Sequence, residues 1–296
     1  MKFWIILITW PKMNLPDNAH SLVKNLITFF SYCLLILSLA ACNQIPYGNN
    51  KKAGKYYNVR GFRMYCETYG NGKPLLMIPG NEGSISTFKD IIPYFSEKYK
   101  VIVADGRAQG KSIDDKDSLS FEMMADDYAT LLDEMHVDSA FVIGWSDGGI
   151  NALLMAIRHP DKVKRLAASG PNLWPDSSAI DPQIWKSEKK KYAQLKNADK
   201  KTEKEKEDWK AFLLDWTQPH ISTASLHKIK CPTLIIGGDH DMIRMKHLLL
   251  IYKNIPQPNL WIVKHSGHAT LFEHRIRFEH HINDFFTSDF RENYNY

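Results

Sequence analysis

The chain has 296 residues, of which 44% are hydrophobic and 12% aromatic, enough to build a globular core and too apolar for an intrinsically disordered protein. That length allows one large domain or two small ones. The formal net charge of +5 is modest, and no dense basic patch sits within a nucleic-acid-binding motif, which argues against nucleic acid as a partner.

The first forty residues stand apart. Lys24 precedes an almost wholly apolar run from Leu26 to Ala41, the order of a secretory signal. The run is short for a membrane-spanning helix. It closes on Leu39-Ala40-Ala41-Cys42, which resembles the lipobox of bacterial lipoproteins, where the Cys is acylated and everything before it is removed. Residues 1–41 are therefore expected to be a lipoprotein-type signal peptide. Cys42 would be the lipidated residue, tying the protein to the bacterial cell envelope. Asn43, not Asp, follows the Cys, which favours the outer membrane. A simple secretory signal, releasing a periplasmic or secreted protein, and an uncleaved anchor are the alternatives. A second apolar run, Phe3 to Trp10, ends at Pro11 and leaves Met13 as an alternative start.

Residues 42–60 are expected to form a tether, because Asn43 to Lys55 is polar with Gly and Pro. The pattern then turns regular. Strands are predicted at Phe62 to Thr68, Leu75 to Ile78, Lys100 to Ala104, Ala140 to Ile143, Val163 to Ala168, Thr233 to Ile236 and Leu260 to Val263. Helices are predicted at Phe121 to Met135, Ile150 to His159 and Leu271 to Phe286. Continuous apolar strands alternating with helices predict an α/β protein, a parallel sheet covered on both faces. Residues 61–170 and 226–296 form the two parts of this core. Residues 171–225 break the rhythm: Trp174, Trp185, Trp209 and Trp216 stand among many charges, which predicts a helical lid with one packed and one solvated face. Cys66 and Cys231 would begin strands from opposite ends of the fold, so free buried thiols are expected. No metal-ligand spacing appears.

Gly144-Trp145-Ser146-Asp147-Gly148-Gly149 follows an apolar strand and precedes a helix. This is the context of a Gly-x-Ser-x-Gly nucleophile elbow, where small residues two positions either side let the chain turn sharply beneath the Ser. A Ser hydroxyl needs a base, and the base an orienting acid. Later strand ends supply both, in the order acid then His: Asp239, His240 and Asp241 follow one strand, and His265 and His268 follow the next. His274, His280 and His281 fall on a predicted amphipathic helix and read as solvated faces.

These motifs together resemble the α/β-hydrolase fold superfamily, from about Gly61 to the C-terminal helix. The resemblance implies a mostly parallel, eight-stranded-type sheet with helices on both faces and a small helical lid. It places the acid at Asp241 and the base at His268, with Ser146 as nucleophile. Asp105-Gly106-Arg107-Ala108-Gln109-Gly110-Lys111-Ser112 resembles the family's turn after the fourth strand, with Ala108 replacing a usual Gly. Pro79-Gly80-Asn81 sits where the family has His-Gly and its oxyanion loop, with Pro79 replacing the His. The implied oxyanion donors are the backbone N–H groups of Asn81 and Asp147.

The stretch around Ser146 is similar to the branch of valacyclovir hydrolases and related carboxylesterases. In that branch the acid after the nucleophile holds a substrate amino group, which makes Asp147 a candidate for selecting amino-bearing acyl groups. The plainer reading is that Asp147 only favours the start of the following helix. Trp145 and Trp174 are further candidate substrate-binding residues. A Ser nucleophile argues against the Asp-nucleophile branches. It leaves a carboxylesterase acting on a small ester, with lactonase, aminopeptidase, C–C hydrolase and cofactor-free peroxidase chemistry as alternatives. No cofactor is implied. A non-catalytic surface lipoprotein is the reading from a different class, and the presence of Ser, Asp and His together argues against it.

Overall fold

Alternating strands and helices assemble one eight-stranded sheet in the computed structural model, which describes residues 45–114 and 119–288. Every element below lies within Pro46–Tyr296. The signal-like segment and Cys42 lie outside the described residues.

The strands are β1 Gly54–Val59, β2 Phe62–Tyr69, β3 Lys73–Ile78, β4 Tyr99–Ala104, β5 Ala140–Trp145, β6 Val163–Ser169, β7 Thr233–Gly238 and β8 Pro258–Val263. Their spatial order is β1-β2-β4-β3-β5-β6-β7-β8. The pairs β1–β2 and β2–β4 are antiparallel and all others parallel. The main helices are α1 Phe121–Glu134, α2 Asp147–Arg158, α3 Pro182–Leu195, α4 Glu203–Thr217, α5 Met245–Lys253 and α6 Arg275–Thr287.

Continuous apolar strands arise because both faces of the sheet are covered. Along β3, Leu76 and Ile78 face one core, built with Met124 and Leu131 of α1, Leu153 of α2 and Leu248 of α5. Leu75 and Met77 face the other, built with Phe95 and with Phe278, Ile282 and Phe286 of α6. All four β3 residues are fully buried, each contributing about 1.5–3 kcal/mol. Cys66 and Cys231 are free and buried, and burial pushes their thiols up to about 12 and about 11.

Two expectations need correction. Residues 42–60 are not a loose tether throughout. From Gly54 the chain is an edge strand on β2, and before it the N–H groups of Gly48 and Asn50 both donate to the carboxylate of Glu67 at 2.8 Å. Glu67 has no solvent exposure, so it must collect donors, and Tyr65 and Tyr69 hydroxyls supply two more. The polar composition that suggested a tether serves this buried carboxylate. The single C-terminal helix expected at Leu271 to Phe286 is two helices, Thr270–Glu273 and α6, because His274 leaves helical dihedrals (φ −126°, ψ 40°).

Residues 171–225 carry α3, α4 and a short helix Thr223–Leu226 between β6 and β7. Thr202 caps α4 with a capping box: its hydroxyl accepts from the N–H of Glu205, whose carboxylate accepts from the N–H of Thr202. Lys204–Asp208 and Glu203–Lys206 pair along the solvated face.

Candidate active site

Ser146 sits between β5 and α2 with φ 57° and ψ −122°, a conformation that costs a non-glycine residue about 1–3 kcal/mol. The surroundings hold it there. Its N–H donates to Ser169 O at 2.8 Å, and its carbonyl accepts from Gly149 and Ile150. The glycines two positions away are sterically required: a Cβ on Gly144 would lie 2.1 Å from Gly148 O, and one on Gly148 would lie 1.9 Å from Ile78 O. This crowding is the physical content of the five-residue motif.

His268 reaches both neighbours expected of a base. Its Nε2 lies 2.9 Å from Ser146 Oγ, and its Nδ1 lies 2.7 Å from Asp241 Oδ1. Asp241 Oδ1 also accepts from the N–H of Ile243 at 2.9 Å, and the Asp241 side chain is 1% exposed. The three side chains thus form one hydrogen-bonded series from a buried carboxylate to a hydroxyl facing a cavity. Asp239, the rival acid, turns away. Its Oδ1 accepts from Ser266 N–H and bonds His240 Nδ1, and these contacts with the His265 N–H hold its carboxyl well below the usual range. His265 contributes its backbone, the N–H toward Asp239 and the carbonyl accepting from His274 Nε2. His280 packs against Tyr94 and His281 against Trp261. Among the described residues no three His, Cys, Asp or Glu side chains stand close enough to hold a metal ion.

Gly170 is a site residue that the sequence did not reveal. It has φ 64°, and a Cβ there would lie 2.6 Å from His268 Cε1. Only the folded chain brings position 170 against the imidazole. Glu273 is another: its carboxylate accepts from Gly267 N–H at 2.7 Å and Ser266 Oγ–H at 2.8 Å, fixing the loop that carries His268.

Opposite Ser146, Gly83 N–H donates to Gly80 O, closing a turn in which Glu82 has φ 52°. Gly80 lies against Ser146, a Cβ there falling 3.1 Å from the Ser146 Cβ. Asp105 supports the next turn: its carboxylate accepts from the N–H groups of Ile85 and Lys111. Ala108, in place of the usual Gly, takes φ 58°.

A cavity of about 690 Å³ opens over Ser146 and extends between α3 and α4. Asp147, Asp215, Trp185 and Trp216 line it, the two indoles stacked at 4.6 Å. Asp147 is the acidic residue in the first turn of α2. It is 6% exposed, faces Asp215 of α4, and its Oδ2 has no donor. Burial, then the Asp215 charge and the hydrogen bond between the two carboxyls, push Asp147 well above the usual carboxylate range. Asp215, an exposed residue of α4, accepts from Asn81 Nδ2.

Two candidate substrate contacts are corrected. Trp145 and Trp174 do not line the cavity. The Trp145 indole points to the opposite face of the sheet, edge-on to Phe272, and donates to His268 O at 3.0 Å. The Trp174 indole donates to Ser178 Oγ and packs edge-on against His247. The aromatic lining comes instead from Trp185, Trp209, Phe212 and Trp216, residues visible beforehand only as apolar points in a charged stretch.

Residues 73–199 match the family model described as the alpha/beta hydrolase fold. The chain is similar to Serine hydrolase BPHL of Mus musculus, 25% identical over 77% of this chain and 84% of the relative. It is also similar to 2-hydroxy-6-oxo-6-phenylhexa-2,4-dienoate hydrolase of Burkholderia cepacia, 24% identical over 77% of this chain and 92% of that one. Among solved structures, a hydrolase from Pseudomonas aeruginosa superposes with TM-score 0.67 at 19% identity, covering 81% of this chain and all of that one. Naproxen esterase from Bacillus subtilis superposes with TM-score 0.63 at 18% identity, covering 79% and 91%.

Proposed function

We propose that the chain is a hydrolase of the α/β-hydrolase superfamily that cleaves a small carboxylic ester through Ser146, His268 and Asp241. The observation that carries this reading is the hydrogen-bonded series Ser146 Oγ, His268 imidazole, Asp241 carboxylate. In this reading His268 Nε2 accepts the Ser146 proton as Oγ attacks the ester carbonyl. The tetrahedral oxyanion is held by the N–H groups of Asn81 and Asp147, aided by the N-terminus of α2. The intermediate collapses, His268 protonates the departing alkoxide, and an acyl-enzyme remains on Ser146. Water then attacks the acyl carbon with His268 again as base, releasing the acid. Asp241 holds the imidazole tautomer and offsets its transient charge.

The substrate's acyl portion would lie in the cavity beside Asp147. A buried carboxyl oxygen without a donor favours an acyl group bearing a protonated amine, which supplies donors. Anchorage by lipid on Cys42 is proposed from Leu39-Ala40-Ala41-Cys42. Metabolic labelling with a fatty acid, lost in Cys42→Ser, tests it.

The enzymatic proposal is tested with a fluorophosphonate probe and a panel of esters of varied acyl length and charge. Wild type should label and turn over at least one ester, and Ser146→Ala should do neither. A folded wild type that takes no label overturns it.

A further inference from the structure

The side chain of Asn81 is wholly engaged. Its Oδ1 accepts from the N–H of Glu82 at 2.9 Å, inside the turn that carries the proposed oxyanion donor. Its Nδ2 donates twice to helix α4, to Ala211 O at 3.1 Å and to Asp215 Oδ2 at 2.7 Å. One amide thus joins the loop beside Ser146 to a helix 130 and more residues away in the chain. The loop has reason to need the support. Glu82 takes a left-handed φ of 52° that a side-chain-bearing residue resists, and Gly83 N–H to Gly80 O is the bond that closes the turn from within.

An oxyanion donor accelerates the reaction only when it is already aimed at the developing charge. From these contacts we infer that Asp215 is a positioning residue: it holds Asn81, and through it the oxyanion N–H, in the productive orientation. The seating of α4 over the cavity is thereby coupled to the rate of the chemical step. This rests on the oxyanion role proposed for Asn81. What Asp215 supplies in this role is an acceptor oxygen. Asn at position 215 presents one to Asn81 and offers its amide N–H groups to Asp147, whereas Ala presents nothing.

The test uses a neutral ester, 4-nitrophenyl butyrate, so that no substrate amine meets Asp147. Asp215→Ala should lower kcat roughly tenfold to a hundredfold, the scale set by displacing or losing one preorganised donor, with little change in KM. Asp215→Asn should recover most of that loss. Asn81→Ala keeps its backbone N–H but loses both contacts to α4. It should lose kcat to a similar extent, and the double variant Asn81→Ala/Asp215→Ala should lose little more. A role in lid packing alone would move Tm or KM and would show no kcat recovery with Asn. The inference is overturned if folded Asp215→Ala keeps kcat within twofold of wild type, or if Asp215→Asn loses as much as Asp215→Ala. Should Asp215→Ala fail to fold, an unchanged kcat in Asn81→Ala overturns it equally. A wild type that turns over the ester and takes the fluorophosphonate separates these outcomes from failure of the esterase reading.

Discussion

The indole N–H of Trp145 donates to the carbonyl oxygen of His268 at 3.0 Å, so the residue preceding Ser146 also holds the backbone of His268. The bond joins the end of β5 to the loop after β8 across the sheet. It ties together the two segments that carry Ser146 and His268. Trp145→Phe keeps the ring against Phe272 and removes the N–H. It should cost about 1 kcal/mol of stability, since one hydrogen bond is lost. It should lower kcat about threefold to tenfold by loosening the 2.9 Å contact between His268 and Ser146. Steady-state kinetics alongside thermal melts check both.

Gly170→Ala puts a Cβ where the imidazole of His268 lies, at a φ of 64° that favours glycine. The imidazole must turn aside, so kcat should fall by a factor of about a hundred or more, with a stability loss of only about 1–2 kcal/mol. A variant that melts close to wild type but labels slowly with fluorophosphonate is the expected result.

Asp147→Asn tests the cavity carboxyl. If it receives a substrate amine, wild type should prefer an α-amino ester over its des-amino analogue by about tenfold, the value of a modest charge-assisted hydrogen bond. The variant should lose that preference through KM. Equal preference in both proteins would remove amine recognition from the function of Asp147.

His247 governs a pH effect distant from catalysis. Its Nε2 accepts from the N–H of Leu173 at 2.9 Å, and burial lowers its pKa to about 4. The unfolded chain binds this proton from about pH 6.5 downward, while the folded protein resists it until about pH 4. Stability from this group is complete above pH 6.5 and is lost as pH falls, reaching about 3 kcal/mol by pH 4. Urea denaturation at pH 7 and pH 4.5 should show the drop in wild type and a smaller one in His247→Gln.

Much of the site was legible in order along the chain. Gly144, Ser146 and Gly148 announce themselves because the elbow admits no Cβ at the flanking positions, a local steric demand. The strands were legible because burial on both faces leaves no polar alternation. The choice between Asp239 and Asp241 was open to the residues alone. Both follow the same strand, and only the path of the turn sends one to His268 and the other to Ser266. Trp145 and Trp174 misled as pocket residues because an aromatic ring near the nucleophile in sequence carries no information about which side of the sheet it faces.

The sequence by itself determined the architecture and marked Ser146 and His268 as the candidate nucleophile and base, since both readings depend on neighbours a few residues away and on strand ends recurring in a set order. Tertiary structure alone decided what surrounds them. Gly170 beneath His268, Trp145 on its carbonyl, Asp215 against Asp147 and Asn81, and Glu67 gathering the chain before β1 are meetings of residues distant in sequence. Each is selected by shape, or by the need of a buried polar group for a partner, and such demands are met across space without regard to spacing along the chain.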